Sequence, residues 1–110
     1  MEKDTLGEFE ELVMLAALRL GHEAYGLSIT REIVETAARP AVRASVYVTL
    51  RRLEQRGLIS THREPAADAP SGKPRRFVKV EARGLELLRS SRRSLQNMWS
   101  GLEDVLEETA

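Results

Sequence analysis

The segment SVYVTLRRLEQRGLIS, residues 45–60, combines the apolar spacing of a helix with two adjacent arginines. Val46, Leu50 and Leu53 recur at i, i+4 and i+7, which places them on one stripe of a helix that faces a core. Gly57 stands where a helix commonly ends on a left-handed residue. The segment therefore predicts a helix that is buried on one side and exposed on the other, where its side chains can contact a partner.

The outward side of this helix carries small residues, arginines and a glutamine. At about 100° per residue, the outward positions are Ala44, Ser45, Val48, Arg51, Arg52 and Gln55, with Tyr47 at the flank. Small residues near its start let a helix approach another surface closely, and arginine and glutamine side chains reach the phosphates or base edges of DNA. A surface helix with ordinary solvated arginines explains this face equally well when the helix is considered alone.

The formal net charge of zero conceals an uneven distribution along the 110 residues. Residues 1–38 hold three basic and eight acidic side chains, residues 39–79 hold ten basic and three acidic, and residues 80–110 hold four basic and six acidic. A basic middle between acidic ends indicates a surface that binds a polyanion. A solvated face of mutually repelling charges is the alternative interpretation.

Two further helices precede the central one. Periodic apolar residues predict a first helix over about residues 6–20, and a second that follows Gly26 and ends before Pro40. Leu15 and Leu18 extend the apolar surface of the first helix beyond one stripe. We therefore expect the first helix to pack against two neighbours.

A hairpin follows the central helix. The β-prone segments LISTHR and RRFVKV are separated by EPAADAPSGKP, whose prolines, glycine and small residues predict a turn-rich loop. Lys73, Arg75 and Arg76 give this hairpin a positive charge beside the central helix. Three helices and a two-stranded wing predict a mainly α winged helix-turn-helix domain over residues 1–81, with its third helix in the DNA groove.

The last segment, residues 82–108, would span about 40 Å as a single helix, which is longer than a three-helix core requires. Its apolar residues alternate in steps of three and four, as in a heptad seam with one charged member, Arg92. A projecting seam of this kind is buried most simply against a second copy, so we expect residues 82–110 to form a long C-terminal dimerisation helix. The interface is expected to contain Leu15, Leu18, Leu85, Leu88, Leu95, Trp99, Leu102 and Leu106.

In their order, these segments resemble the PadR-like family of transcriptional regulators. The resemblance covers nearly the whole chain and rests on LAALRLG in the first helix, YGLSI, SVYVTLRRLEQRGLI, GKPRRFVKV and a glycine, Gly84, at the start of the last helix. It implies a dimeric bacterial DNA-binding repressor that often releases DNA when a small molecule binds. The residues expected at the DNA are Tyr25, Ser45, Tyr47, Val48, Arg51, Arg52, Lys73, Arg75 and Arg76.

The chain departs from the family pattern at four positions. Val42 and Ala44 stand where the family commonly has Ser and Gly, Val48 where Pro is frequent, and Glu81 where Thr usually caps the last helix. Loss of a hydroxyl before the third helix costs about 1 kcal/mol unless another residue replaces the cap. The departures leave Tyr47 and the basic wing in place, so the DNA-binding prediction stands.

Trp99, the single tryptophan, lies on the seam beside Met98. An aromatic residue on a seam is usually a packing anchor of the interface. The second interpretation makes Trp99 and Met98 a stacking surface for a flat aromatic effector between two subunits. The sequence leaves both open.

Other classes of function find little support. The chain has no cysteine for a disulfide or a thiolate metal site and no glycine-rich phosphate loop, and His22 and His62 lie far apart without a catalytic partner. We therefore expect no enzyme activity, cofactor or metal. The chain has no apolar run of the roughly 20 residues that a membrane span needs, so we expect a cytoplasmic protein that does not contact membranes. A winged-helix module that binds only proteins is the alternative function.

Overall fold

A computed structural model of the chain describes residues 5–65 and 74–109. Within these ranges the elements are α1 (Glu8–Leu20), a 3-10 turn (Gly21–Glu23), α2 (Gly26–Thr36), α3 (Arg43–Gln55), β1 (Ile59–Glu64), β2 (Arg75–Val80), α4 (Ala82–Trp99) and α5 (Glu103–Thr109). The predicted fold is confirmed, since three helices precede a two-stranded antiparallel wing and a further helix follows it. No helix in the described part of the chain is long and apolar enough to cross a membrane.

One hydrophobic core joins α1, α2, α3, the wing and the start of α4. The predicted stripe of α3 is buried as expected, with Val46 and Leu53 fully covered and Leu50 nearly so. Complete burial of an aliphatic side chain stabilises a fold by about 1.5–3 kcal/mol. The other large buried side chains are Val13, Met14, Ile29, Ile33, Leu58, Ile59, Val78, Leu87 and Leu88.

The ends of α3 agree with the sequence prediction. Val42 occupies the N-cap position and provides no side-chain hydrogen bond, so the missing hydroxyl is not replaced there. At the other end, Gly57 adopts a φ of 73°, which a residue with a Cβ tolerates poorly. The amide of Leu58 then donates to the carbonyl of Leu53 at 3.0 Å and turns the chain from α3 towards β1.

The wing is fastened to the start of α2. Tyr25 pairs with Phe77 as an isolated antiparallel bridge, and the amide of Val78 donates to the carbonyl of Ala24 at 2.8 Å. The segment before α2 thus lies along β2 like a short third strand. This contact fixes where the wing stands relative to the helices.

The C-terminal segment differs from its prediction. Gly84, Leu87 and Leu88 are buried, so the first turns of α4 belong to the core of the same subunit. The single helix predicted over residues 82–108 is wrong beyond Trp99, because α4 ends there and Gly101 has a φ of 87°. The end of the predicted seam therefore lies on the separate short helix α5.

Candidate nucleic-acid interface

The two adjacent arginines of α3 lie on either side of its outward face and line different clefts. Arg51 lines a cleft of about 350 Å³ between α3 and the wing, together with Tyr47 and Arg76. Arg52 lines a separate cleft of about 680 Å³ that α3 shares with α1 and α4. Both arginine residues are exposed. The helix therefore presents a positive charge on each side of its outward face.

The middle of this outward face is made of small and apolar groups. Ala44, Ser45 and Val48 are exposed, and Val48 retains 48% of its accessible surface. These short side chains project only a little way from the backbone in the N-terminal half of the helix. A partner surface can thus approach the backbone of α3 closely at these positions.

Tyr47 rests on the start of α2. A Cβ added to Gly26 would lie only 2.5 Å from Cε1 of the Tyr47 ring, so glycine is required for this close approach. The guanidinium of Arg43 lies 6.0 Å from the centroid of the same ring. Arg43 was not among the residues predicted at the site, although its i,i+4 spacing from Tyr47 is a signal that the sequence contains.

The register of the wing places like charges opposite each other. Arg63 on β1 pairs directly with Arg76 on β2, and Thr61 pairs with Val78. Directly opposed residues of an antiparallel pair share a face, and like charges there destabilise the hairpin. Thr61, Arg76 and Val78 line the cleft beside Arg51, so this doubly charged face is turned towards α3. Sequence reasoning did not select Arg63, since its importance depends on the register.

The other face of the wing holds Arg75 against an aromatic ring. The Cζ atom of Arg75 lies 4.4 Å from the centroid of the Tyr25 ring, and that ring meets Phe77 edge-on at 5.7 Å. Cation–π contacts of this kind contribute about 0.5–1 kcal/mol at exposed sites. Tyr25 was predicted at the DNA, and the structure places it half-buried beside Arg75 as a support for that guanidinium.

An acidic residue also borders the cleft between α3 and the wing. Glu54 lines the same cleft as Arg51 and Arg76. Its carboxylate accepts a hydrogen bond from the hydroxyl of Thr61 at 2.7 Å, which ties α3 to β1. Lys73, the remaining basic residue predicted at the wing, lies outside the described residues.

The residues predicted at a dimer interface fall into two groups. Leu88 is buried within its own subunit and Leu85 is half-buried. Trp99 exposes 46% of its surface, and Met98, which was predicted beside it as an effector contact only, exposes 75%, so neither is buried within the subunit. The remaining exposed members are Leu15, Leu18, Leu95, Leu102 and Leu106.

The two histidines come closer in space than their sequence positions suggest. His22 and His62 line one cleft of about 320 Å³ behind the wing, and the His62 ring stacks on Phe77 at 5.9 Å. The Nε2 atom of His62 lies 3.3 Å from a carboxylate oxygen of Glu64. Among the described residues, no group of three or more His, Cys, Asp or Glu side chains is arranged to hold a metal ion.

Comparisons with known proteins agree with this geometry. A model of the transcriptional regulator PadR-like family matches residues 14–90. The chain is similar in structure to a PadR family transcriptional regulator from Eggerthella lenta, at 28% sequence identity and a TM-score of 0.66 over 91% of this chain and 87% of that chain. It is also similar to a PadR-like transcription factor from Bacteroides fragilis, at 25% identity and a TM-score of 0.58 over 93% and 90%.

A third structural likeness shows the fold alone. A PadR-like transcriptional regulator from Bacillus cereus has a TM-score of 0.69 at 18% identity, over 89% of this chain and 90% of that chain. A comparison with proteins of curated function found no match.

Proposed function

Because the chain belongs to the PadR-like family of transcriptional regulators, we propose that it is a repressor that binds operator DNA as a homodimer. The observation that carries the proposal is the convergence of α3 and the wing, where Arg51 and Arg76 line one cleft beside Tyr47. A duplex whose major groove receives α3 meets the wing with its flanking backbone. Both elements then face the polyanion with positive charge.

The arginines of α3 divide base and phosphate contacts between them. Arg51 lies closer than Arg52 to the point opposite the buried stripe of the helix, so its side chain is the better placed to enter a groove. A bidentate arginine–guanine pair provides about 1–3 kcal/mol of discrimination between bases. Arg52 lies nearer the core side, beside the cleft that α3 shares with α1 and α4, and we assign it to the DNA backbone. Ser45 and Tyr47 contact phosphates at the start of the helix.

The wing supplies affinity without sequence preference. Arg76 and Arg63 stand as a pair on the face towards α3, and phosphate oxygens between them would relieve their repulsion. Arg75, held against Tyr25, extends the same charge along the other face of β2. Each phosphate contact of this kind makes the slope of log affinity against log salt more negative by about 0.9.

Dimerisation is proposed through the exposed apolar side chains of α1, α4 and α5. Leu95, Trp99 and Leu102 remain uncovered in the subunit, as do Leu15 and Leu18 on α1. Over its whole length α4 carries four arginines against one glutamate and α5 is acidic, so a second copy packed in the opposite direction brings unlike charges together. A two-fold axis at this seam would hold two α3 helices about one DNA turn, 34 Å, apart.

We further propose that a flat aromatic effector releases the protein from DNA. Trp99 and Met98 are exposed beside each other and provide a stacking surface near the proposed axis. Titration of planar aromatic compounds against Trp99 fluorescence tests this role. A flat response across a chemically broad panel would leave Trp99 as a packing residue of the dimer.

Salt-dependent DNA binding separates the regulator from a module that binds only proteins. Arg52→Gln and the double variant Arg75→Gln with Arg76→Gln should each weaken DNA binding and reduce the magnitude of the salt slope by about 0.9 per lost phosphate contact. Arg51→Gln should weaken DNA binding through a lost base contact, at a cost of about 1–3 kcal/mol. Arg31→Gln, an exposed change on α2, is the matched control and should leave the slope unchanged. A wild-type protein that binds no DNA at low salt would favour the protein-binding module.

A further inference from the structure

Val48 lies in the middle of the face that α3 turns away from the core. At about 100° per residue it is almost opposite the buried Val46 and Leu50. The clefts beside α3 are lined by Arg51 on one flank and by Arg52 on the other, and Val48 lies on the ridge between them. A groove that receives α3 therefore has Val48 near its centre.

The outward stripe of α3 changes from apolar to polar along the helix. Ala44 and Val48 form its N-terminal part, and Arg51 and Gln55 continue the same face, in steps of four, three and four residues. All four residues are exposed. The recognition helix of a helix-turn-helix domain contacts base edges with its N-terminal residues. The apolar part of the stripe is therefore placed to meet bases, as is the polar part.

Val48 offers a rigid apolar contact. Its side chain keeps 48% of its surface exposed and has no group that donates or accepts a hydrogen bond. A valine in a helix has one strongly preferred χ1 rotamer, so its two methyl groups are held in one position at little cost in entropy. Valine also has a lower helix propensity than alanine, so helix stability does not favour it at this exposed position. Its chemistry suits contact with another apolar group.

We infer that Val48 contacts the 5-methyl group of a thymine in the major groove of the operator. Thymine carries an apolar group on its major-groove edge, and an apolar side chain is the matching contact. Adenine, guanine and cytosine would place only polar groups against the valine and leave them without hydrogen-bond partners. The inference rests on the proposed function and adds to it the kind of base that the middle of α3 recognises.

The helix also fixes where this thymine lies relative to the base that Arg51 contacts. Three residues advance an α-helix by about 4.5 Å, and one base pair advances DNA by about 3.4 Å. Val48 and Arg51 therefore reach bases within about two base pairs of each other. We expect each half-site to contain a thymine at that distance from the guanine that Arg51 contacts.

Replacement of single thymines by deoxyuridine tests the contact, because uracil keeps the base pairing and lacks only the methyl group. The DNA is a synthetic duplex with the sequence of a genomic fragment that the full chain selects, and each thymine is replaced in turn. For the wild type, we expect one replacement in each half-site to weaken binding about fourfold, the value for one methyl group that loses an apolar contact. The same replacement should not weaken binding by Val48→Ala, whose shortened side chain does not reach the methyl group.

Val34→Ala is the matched control. It makes the same change at a similarly exposed valine of α2 and should keep the fourfold effect of the replacement. Denaturant unfolding of Val48→Ala accompanies the binding measurements. This variant should be at least as stable as the wild type, because alanine favours a helix more than valine does.

Two outcomes would overturn the inference and leave the proposed function standing. In the first, the wild type prefers the selected duplex, but no single replacement of a thymine weakens its binding. In the second, a replacement weakens binding by the wild type and by Val48→Ala to the same extent. Equal affinity of the wild type for the selected duplex and a scrambled one would contradict the proposed function, and the inference with it.

Discussion

Arg63 and Arg76 give the wing positive charge but lower the stability of its hairpin. They are direct partners across the antiparallel pair, on the face turned towards α3. The neighbouring pair on the other face, Glu64 and Arg75, has opposite charges instead. A like-charge pair persists at such a position at a cost to the isolated fold, and a bound polyanion would offset that cost.

Arg63→Gln should therefore stabilise the free protein and weaken its complex with DNA. Removal of the repulsion is expected to raise the free energy of unfolding by about 0.2–1 kcal/mol. Denaturant unfolding and the salt dependence of DNA binding measure the two effects. Glu64→Gln is the control and should not stabilise, because it removes an attractive partner of Arg75. A destabilised Arg63→Gln protein would contradict this explanation.

Gly26 fixes the position of Tyr47 on the DNA face. Gly26→Ala should displace the Tyr47 ring, since the new Cβ would lie 2.5 Å from Cε1. We expect weaker DNA binding, and a smaller effect of the same change in a Tyr47→Ala background, where no ring opposes the Cβ. Gly7→Ala, whose nearest atom is 3.4 Å away, serves as the control. Additive effects of Gly26→Ala and Tyr47→Ala would show that the two positions act independently.

At the scale of elements, the sequence predicted the order and type of structure well. The stripe of α3, its end at Gly57 and the two-stranded wing follow from local rules of spacing and backbone conformation. The break after Trp99 was missed because apolar residues continue at helical spacing through Leu102 and Leu106. Gly101 is a residue at which a helix can end, but the helical spacing of the apolar residues on both sides of it favoured one continuous helix.

Long-range contacts explain the rest of what was missed. Helical periodicity placed Arg51 and Arg52 100° apart, but which neighbour each one meets depends on how α1, α4 and the wing pack around α3. The contact of Arg75 with Tyr25 joins residues far apart in the chain and follows from the bridge between Tyr25 and Phe77. No spacing rule within one element contains such information.

Gly84 allows α4 to pack against the turn between α3 and β1. A Cβ at this position would lie 2.4 Å from the carbonyl oxygen of Leu58, which also accepts a hydrogen bond from the Glu81 amide at 2.9 Å. Gly84→Ala must move the backbone and should destabilise the fold by about 1–3 kcal/mol. Thermal unfolding checks this expectation, with the exposed change Ser90→Ala as a control that should stay within about 0.5 kcal/mol. Equal melting temperatures for both variants would contradict the packing role.

At the scale of the whole molecule, we expect a second copy of the chain to cover the exposed apolar side chains of α4 and α5. Leu95→Glu combined with Leu102→Glu should shift sedimentation towards the monomer and weaken DNA binding in parallel, because both half-sites are held by one dimer. The substitutions spare Leu87 and Leu88, whose loss would damage the core of the subunit itself. Val34→Glu changes an equally exposed residue of α2 and should leave the dimer intact. A dimer that survives the double substitution would place the interface elsewhere.

The central claim, that α3 reads an operator while the wing contacts its backbone, is tested most directly by competition at one fixed salt concentration. A genomic fragment that the purified protein selects competes with a scrambled duplex of the same length and composition. We expect the selected fragment to bind at least about 10³-fold more tightly. Arg51→Ala should lower this discrimination by about 1–3 kcal/mol, which is the contribution of about one base pair. Equal affinity of the wild-type protein for both duplexes would contradict the claim.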